Sequence, residues 1–175
     1  RAAKVRRTVQ PLLIDATAGL GNDGFLLAAA GFRVQMFEVN PVVAALLADG
    51  LDRARRNPAL TAIVERIRLT ACDARTVLGN LDEYPEVIYL DPMFPERTKS
   101  ALVKQELRLL QLLDPHSMDP GQLLRAALAV QARKVVVKRP RTGPCLLDMP
   151  PAYTVRGKAI RFDVYVGTGN KETPP

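Results

Sequence analysis

Four acids stand where short apolar runs end: Asp15 after Leu12-Leu13-Ile14, Glu38 after Met36-Phe37, Asp73 beyond Ile67 to Ala71, and Asp91 after Val87-Ile88-Tyr89-Leu90. Carboxylates in such positions can draw in an ammonium, take a pair of hydroxyls, or accept from an amino group. Between the first two acids lies Ala18-Gly19-Leu20-Gly21-Asn22-Asp23-Gly24, where Gly19, Gly21 and Gly24 spell G-x-G-x-x-G. Such a turn brings backbone close to a ligand at the start of a helix. Glu38 could accept from both hydroxyls of a ribose while Val39 lies against a flat base, and Asp73 with Ala74 could meet that base's amino group. The fourth acid opens Asp91-Pro92-Met93-Phe94. An acceptor at Asp91 and the Pro92 carbonyl can hold the hydrogens of a planar exocyclic amine, favouring the pyramidal form in which its lone pair is free to attack. Phe94 offers a stacking face for a base taken out of its helix.

The elements that must carry these residues follow from periodicity. Apolar runs of four to seven residues alternate with stretches of helical spacing, the mark of βαβ units and a parallel sheet. Strands are expected at Leu12 to Asp15, Arg33 to Glu38, Ile67 to Ala71, Val87 to Asp91 and Lys134 to Lys138. Helices are expected at Asp23 to Ala30, closed by Gly31; after Asn40-Pro41, a start with a capping acceptor and a first residue lacking a donor; at Ser100 to Leu113; and at Gln122 to Ala132. Tyr153 to Val155 and Phe162 to Val166 alternate as an antiparallel hairpin at a sheet edge. The fold class is therefore α/β, a mostly parallel seven-stranded sheet with an antiparallel C-terminal hairpin and helices on both faces. In such open sheets ligands bind beyond the strand carboxyl ends, where the four acids fall.

Two cofactors use a glycine turn of this kind. A dinucleotide would set its pyrophosphate on the helix N-terminus, where Asp15 is an awkward neighbour. S-adenosylmethionine (SAM) has no phosphate, and an acid at the end of the first strand suits the ammonium of its methionine part. The Asp91 loop gives the second cofactor an acceptor amine, in a displacement that needs positioning and exclusion of water but no metal. Catalytic roles accordingly fall to Asp91, Pro92 and Phe94, and cofactor contacts to Asp15, Gly19, Gly21, Glu38, Val39, Asp73 and Ala74. Two alternatives stay open: an NAD(P)-dependent oxidoreductase, which leaves Asp91 to Phe94 without a role, and a non-catalytic RNA-binding module on the same fold.

Composition bounds these readings. The 175 residues carry a net charge of +7, which fits a polyanionic partner without proving one. Lys99, Lys104, Arg108, Lys138 and Arg139 are the cations expected to meet RNA phosphates, contacts that position without reading sequence. The two cysteines, Cys72 and Cys145, have no partner at metal-ligand spacing, so neither a disulfide framework nor a metal site is expected, and the cytoplasm is the natural compartment. His116 is the single histidine and stands in a Pro-rich loop with no nucleophile beside it. No run approaches the roughly 18 to 20 apolar residues of a membrane helix. Residues 1–10 read as a basic N-terminal extension, the remnant of a missing N-terminal region; 11–168 as the catalytic domain; and 169–175 as a polar tail.

Longer stretches narrow the reading further. Asp15-Ala16-Thr17-Ala18-Gly19-Leu20-Gly21, Glu38 to Leu47, Tyr89 to Pro95 with Lys99 to Lys104, Val135 to Pro140 and Arg161 to Tyr165 together resemble the RsmJ family of Rossmann-like class I methyltransferases. The resemblance runs from Pro11 to Thr168. It implies a SAM-dependent enzyme that methylates the N2 amine of a guanine in the 16S ribosomal RNA of the small subunit. Carried over by motif, it implies cofactor contacts at Asn22 and Asp23, Glu38 and Val39, Asp73 and Ala74, and Asp91. The family commonly has Arg where Asn22 stands, Glu-Arg where Glu38-Val39 stands, and a Ser pair at Asp73 and Ala74.

Overall fold

A computed structural model of the chain describes residues 2–4, 10–92 and 119–167. Its elements are β1 (Leu12–Asp15), α1 (Asn22–Ala29), β2 (Arg33–Phe37), α2 (Pro41–Arg55), α3 (Thr61–Val64), β3 (Ile67–Thr70), α4 (Ala74–Val77), β4 (Val87–Leu90), α5 (Pro120–Ala129), β5 (Lys134–Pro140), a 3-10 turn (Leu146–Asp148), β6 (Tyr153–Arg156) and β7 (Ile160–Val166). The expected helix at Ser100 to Leu113 lies outside the described residues.

The strands form one seven-stranded sheet in the order β3-β2-β1-β4-β5-β7-β6. β1 to β5 run parallel, and β7 pairs antiparallel with both β5 and β6. The chain winds one way from β1 through β2 to β3 and the other way from β4 to β5. The order therefore reverses between β1 and β4, and the crevice above that seam is where an α/β sheet receives its ligand.

Strand residues alternate between two apolar layers, because successive side chains point to opposite faces. Leu13, Val34, Met36, Val87, Tyr89 and Val136 pack with Ala28, Leu47, Leu51 and Val64 on the side covered by α1, α2 and α3. Ile14, Phe37, Ile88, Leu90, Val135 and Val137 pack with Ala74, Leu123, Leu124 and Ala127 on the side of α4 and α5. Val135 to Val137 are all buried, as a strand covered on both faces requires.

Local chemistry explains the boundaries. Asn40 caps α2 as expected, its Oδ1 accepting from the backbone N–H of Val42 (2.9 Å) and Val43 (3.2 Å), with Pro41 as first residue. α5 begins at Pro120, two residues before the expected start, because Asp119 supplies a cap to the Gly121 N–H at 2.8 Å. β5 runs on to Pro140 instead of ending at Lys138, since β7 pairs with it through Pro140 opposite Ile160. Residues 2–4 lie against the α1 layer: Ala2 is buried, and the Lys4 carbonyl accepts from Lys134 Nζ at 2.9 Å.

Candidate active site

The glycine turn sits at the carboxyl end of β1. Gly21 adopts φ +80, and a Cβ there would lie 2.5 Å from Leu47 Cδ1, so glycine answers both the left-handed backbone and the close approach of α2. Gly24, in the first turn of α1, lies over Met36 and the Asp15 carboxylate; a Cβ would come to 2.9 Å from Asp15 Oδ2. These two glycines let α1 press onto the sheet. Gly19, at φ +55, has nothing within 4 Å of where a side chain would project, which leaves room above the turn.

Glu38 closes one side of that room. Its Oε2 accepts from the Gly19 N–H at 2.7 Å and its Oε1 from the Asn40 N–H at 2.9 Å, so the carboxylate faces the turn with lone pairs to spare. Val39 beside it is 37% exposed. The set fits a nucleoside: a two-oxygen acceptor for paired hydroxyls and an open apolar side chain for a ring face.

At the seam between β1 and β4, Lys138 Nζ donates to Asp23 Oδ2 at 2.7 Å and to Asp91 Oδ2 at 2.8 Å. Tyr89 donates its hydroxyl to the same Asp23 oxygen at 2.8 Å. The Asp91 backbone N–H donates to Thr17 Oγ1 at 2.6 Å, tying the loop after β4 to the turn after β1. Strand alternation makes this convergence possible: Asp15, Tyr89, Asp91 and Lys138 share the parity of Leu13, Val87 and Val136, the α1 side of the sheet.

The electrostatics favour a cation. Asp15 is buried, and its pKa is pushed up to about 7 by desolvation, against the Thr17 N–H and with the charges of Asp23, Asp91 and Glu38 adding to the rise. Asp91 is also raised, chiefly by burial, while the hydrogen bond and charge of Lys138 pull it back. Lys138 loses some basicity to burial but ends above its ordinary value because Asp23 and Asp91 hold its proton. Tyr89 is raised by burial and by Asp23, and so remains a neutral donor. Asp23 and Asp91 thus share one ammonium, and the charges of Asp23, Asp91 and Glu38 all bear on Asp15. A pyrophosphate would be repelled here, whereas a sulfonium with an α-ammonium is suited.

Several expected roles change on placement. Asp15 is 1% exposed, with its Oδ1 accepting from the Thr17 N–H, so it offers a ligand a field and not a contact. Asp73 caps α4, and Arg75 grips both its oxygens (Nε to Oδ2 2.9 Å, Nη2 to Oδ2 2.6 Å, Nε to Oδ1 3.1 Å), holding its pKa below the usual carboxylate value. Its side chain is therefore engaged within the protein, and Ala74 beside it is buried. Lys138, expected at RNA phosphate, is instead tied into the cluster just described. Arg139, expected to do the same, points to the opposite face, where Nε (3.1 Å) and Nη2 (2.5 Å) donate to the Pro144 carbonyl. Asn22 is exposed at the start of α1, and Pro92 follows Asp91 in a buried position. Phe94, Lys99, Lys104 and Arg108 lie outside the described residues. Thr17 and Tyr89 are not among the expected site residues; the period of two that puts Tyr89, opposite Asp15, on the same face as Asp91 is the available signal.

The chain is similar to known proteins over most of its length. A family described as "Putative SAM-dependent methyltransferase" matches residues 1–167. A Pseudomonas aeruginosa protein named ribosomal RNA small subunit methyltransferase J is 48% identical over 94% of this chain and 64% of its own length. A Dechloromonas aromatica protein of the same name is 46% identical over 94% of this chain and 68% of its own. The crystal structure of a SAM-dependent methyltransferase from Neisseria gonorrhoeae superposes with a TM-score of 0.76 at 39% identity, covering 92% of this chain and 63% of that one. The chain thus spans less than two thirds of the Pseudomonas relative. It belongs to this family of SAM-dependent methyltransferases, the RsmJ family that its motifs resemble.

Proposed function

We propose that this chain binds SAM above its glycine turn and methylates the exocyclic N2 amine of a guanine in the 16S ribosomal RNA of the small subunit, in the cytoplasm. The observation that carries the reading is the tie between Asp91 and the turn: its N–H on Thr17 and its carboxylate joined to Asp23 through Lys138. The residues that would hold the cofactor are thereby joined to the loop that would hold the base. The name of the Pseudomonas and Dechloromonas relatives supports the RNA and the subunit. Arg141, Arg156 and Lys158, all exposed, supply positive charge where β5 ends and the β6–β7 turn meets it, and phosphate contacts there would position the substrate.

Bound SAM would supply an electrophilic methyl group on sulfur. Glu38 would take the ribose hydroxyls and Val39 the adenine face, with Asn22 and Asp23 near the methionine part and Asp15 contributing negative field from below. Asp91 and the Pro92 carbonyl would accept the two amine hydrogens, turning the nitrogen lone pair out of conjugation and toward the methyl carbon. The cofactor would supply the carbon of the new nitrogen–carbon bond and would keep the carbon–sulfur electron pair. The methylated nitrogen then sheds one proton, which the Asp91 carboxylate can take and pass to water. Phe94 is the candidate stacking partner for the guanine.

The test is transfer of labelled methyl from SAM to small subunits that lack the modification, with the product base mapped. Label on one guanine N2 supports the reading; no transfer to any ribosomal RNA overturns it.

A further inference from the structure

We propose that Lys138 is a positioning residue of the methyl-transfer site: its one ammonium holds the carboxylate of Asp91, on the acceptor loop, and that of Asp23, on the cofactor's helix, in fixed mutual geometry. The inference rests on the function just proposed, and it assigns to this lysine a task that phosphate binding would not explain.

The geometry is specific. Lys138 Nζ lies 2.7 Å from Asp23 Oδ2 and 2.8 Å from Asp91 Oδ2, and its side chain is only 24% exposed. Both distances are those of charge-assisted hydrogen bonds. The lysine comes from β5, Asp91 from the loop after β4 and Asp23 from α1, so three elements meet at one nitrogen. Facing the same cluster are Asp15 from β1, Glu38 from the end of β2 and the Tyr89 hydroxyl from β4. Every one of these neighbours is an acid or a neutral donor. Without Lys138, three aspartates would share a partly buried space, a setting in which carboxylates take up protons.

Protonation of Asp91 would matter chemically. A carboxylate accepts both the amine hydrogen before transfer and the nitrogen's proton after it, whereas a carboxylic acid cannot take that proton. The desolvation that raises Asp91 and the lysine that lowers it act in opposition. Lys138 thus determines how far down in pH the loop keeps its acceptor. It also couples the two halves of the site, since any movement of Asp23 when α1 meets a ligand is felt at Asp91 through a shared partner.

The variants Lys138→Met and Lys138→Arg separate this role from a merely structural one. Carbon-detected NMR titration of the aspartate carboxyls, in protein without added cofactor, follows Asp91 directly. We expect its midpoint to rise by about one pH unit or more in Lys138→Met, the low end for loss of an adjacent opposite charge, and Lys138→Arg to restore most of the difference. In methyl transfer, the acid limb of kcat should move up by the same interval in Lys138→Met, with KM for SAM changed less than kcat, and activity should recover toward high pH. An Asp91 midpoint unmoved in a folded Lys138→Met protein overturns the proposal. So does a loss of rate that is uniform across pH. Should wild-type protein transfer no methyl group at all, the proposed function fails, and the NMR titration still decides the role of Lys138.

Discussion

Lys138 and Arg139 are adjacent in β5, and their charges end in networks of opposite character. Arg139 shares its face with Arg161, directly across on β7. Arg161 grips Asp163 in a two-pronged pair (Nε to Oδ1 2.9 Å, Nη2 to Oδ2 3.0 Å) and spends its remaining donors on the carbonyls of Pro140, Arg141, Gly143 and Pro144. Thr154 adds a donor to Asp163 at 3.0 Å. Two guanidiniums there surround one carboxylate, backbone carbonyls take their other donors, and Asp163 is 1% exposed. On the α1 face the balance is reversed, with several acids about one lysine and two aspartates raised by burial. The closed network fastens the 140–144 loop to the sheet; the open one keeps acids in a state that a cationic ligand would relieve. A buried carboxylate gripped by a guanidinium and ringed by backbone carbonyls marks structure, and an excess of acids at a sheet's carboxyl edge marks a site.

The largest effect should come from breaking the open side. Asp91→Ala is expected to lower kcat by about 10²- to 10⁴-fold, the range for a lost proton acceptor, as read by labelled methyl transfer. Its thermal midpoint should change little, because Lys138 keeps Asp23 and a repulsion is removed. Arg161→Met is the matching change on the closed side. It leaves Asp163 buried without its counter-charge and should cost about 3–5 kcal/mol of stability in urea unfolding, while the folded fraction binds S-adenosylhomocysteine as the parent does. If Asp91→Ala unfolds the protein and Arg161→Met spares it, the contrast between the two faces is wrong.

Asp15 sharpens the same contrast through pH. Its folded-state pKa of about 7 lies above the unfolded value of 3.8, so between those limits the native state holds a proton that the unfolded chain has given up. Stability should therefore fall as pH rises from about 4 to 7. Asp15→Asn removes the Asp15 share of this slope. The variant should gain on the parent across that window and be the more stable at pH 8 by on the order of 2 kcal/mol, about half of what the full interval between the two pKa values would give. Thermal unfolding at a series of pH values reads the difference. The slope should flatten without vanishing, because Asp91 is raised as well.

The framework was legible in the sequence because it rests on local signals. The run Leu12 to Asp15, the Asn40-Pro41 start and the valines of β5 each state their structure within a few residues, and β1 begins and ends where periodicity sets it. α3 and α4, four residues each, are too short to show a helical period. The acids were legible as a set because strand ends bring them to one edge. Their partners were not. Lys138 and Arg139 read as a cationic pair beyond the strand because the valine run ends β5 at Lys138; its extension to Pro140 depends on β7, twenty residues on. Once both residues lie within a strand, alternation alone must separate them. Asp73 reads as a base acceptor by its place at a strand end, yet Arg75, two residues away, claims it.

The smallest effect belongs to a residue of neither network. Asn40 meets Glu38 through its backbone N–H, which Glu38 Oε1 accepts at 2.9 Å, and its side chain caps α2. Asn40→Ala keeps that N–H and removes the cap. It should therefore cost about 1 kcal/mol in stability and leave the affinity for S-adenosylhomocysteine unchanged by calorimetry. Glu38→Ala reverses the pattern, weakening affinity by ten-fold or more, since a hydrogen bond to a charged group contributes roughly 1.5–3 kcal/mol. Adjacent groups on one bend of chain would then be divided into a helix start and a ligand acceptor. An equal loss of affinity in both variants would mean that Glu38 only braces the start of α2, and the ribose contact would have to be sought elsewhere on the turn.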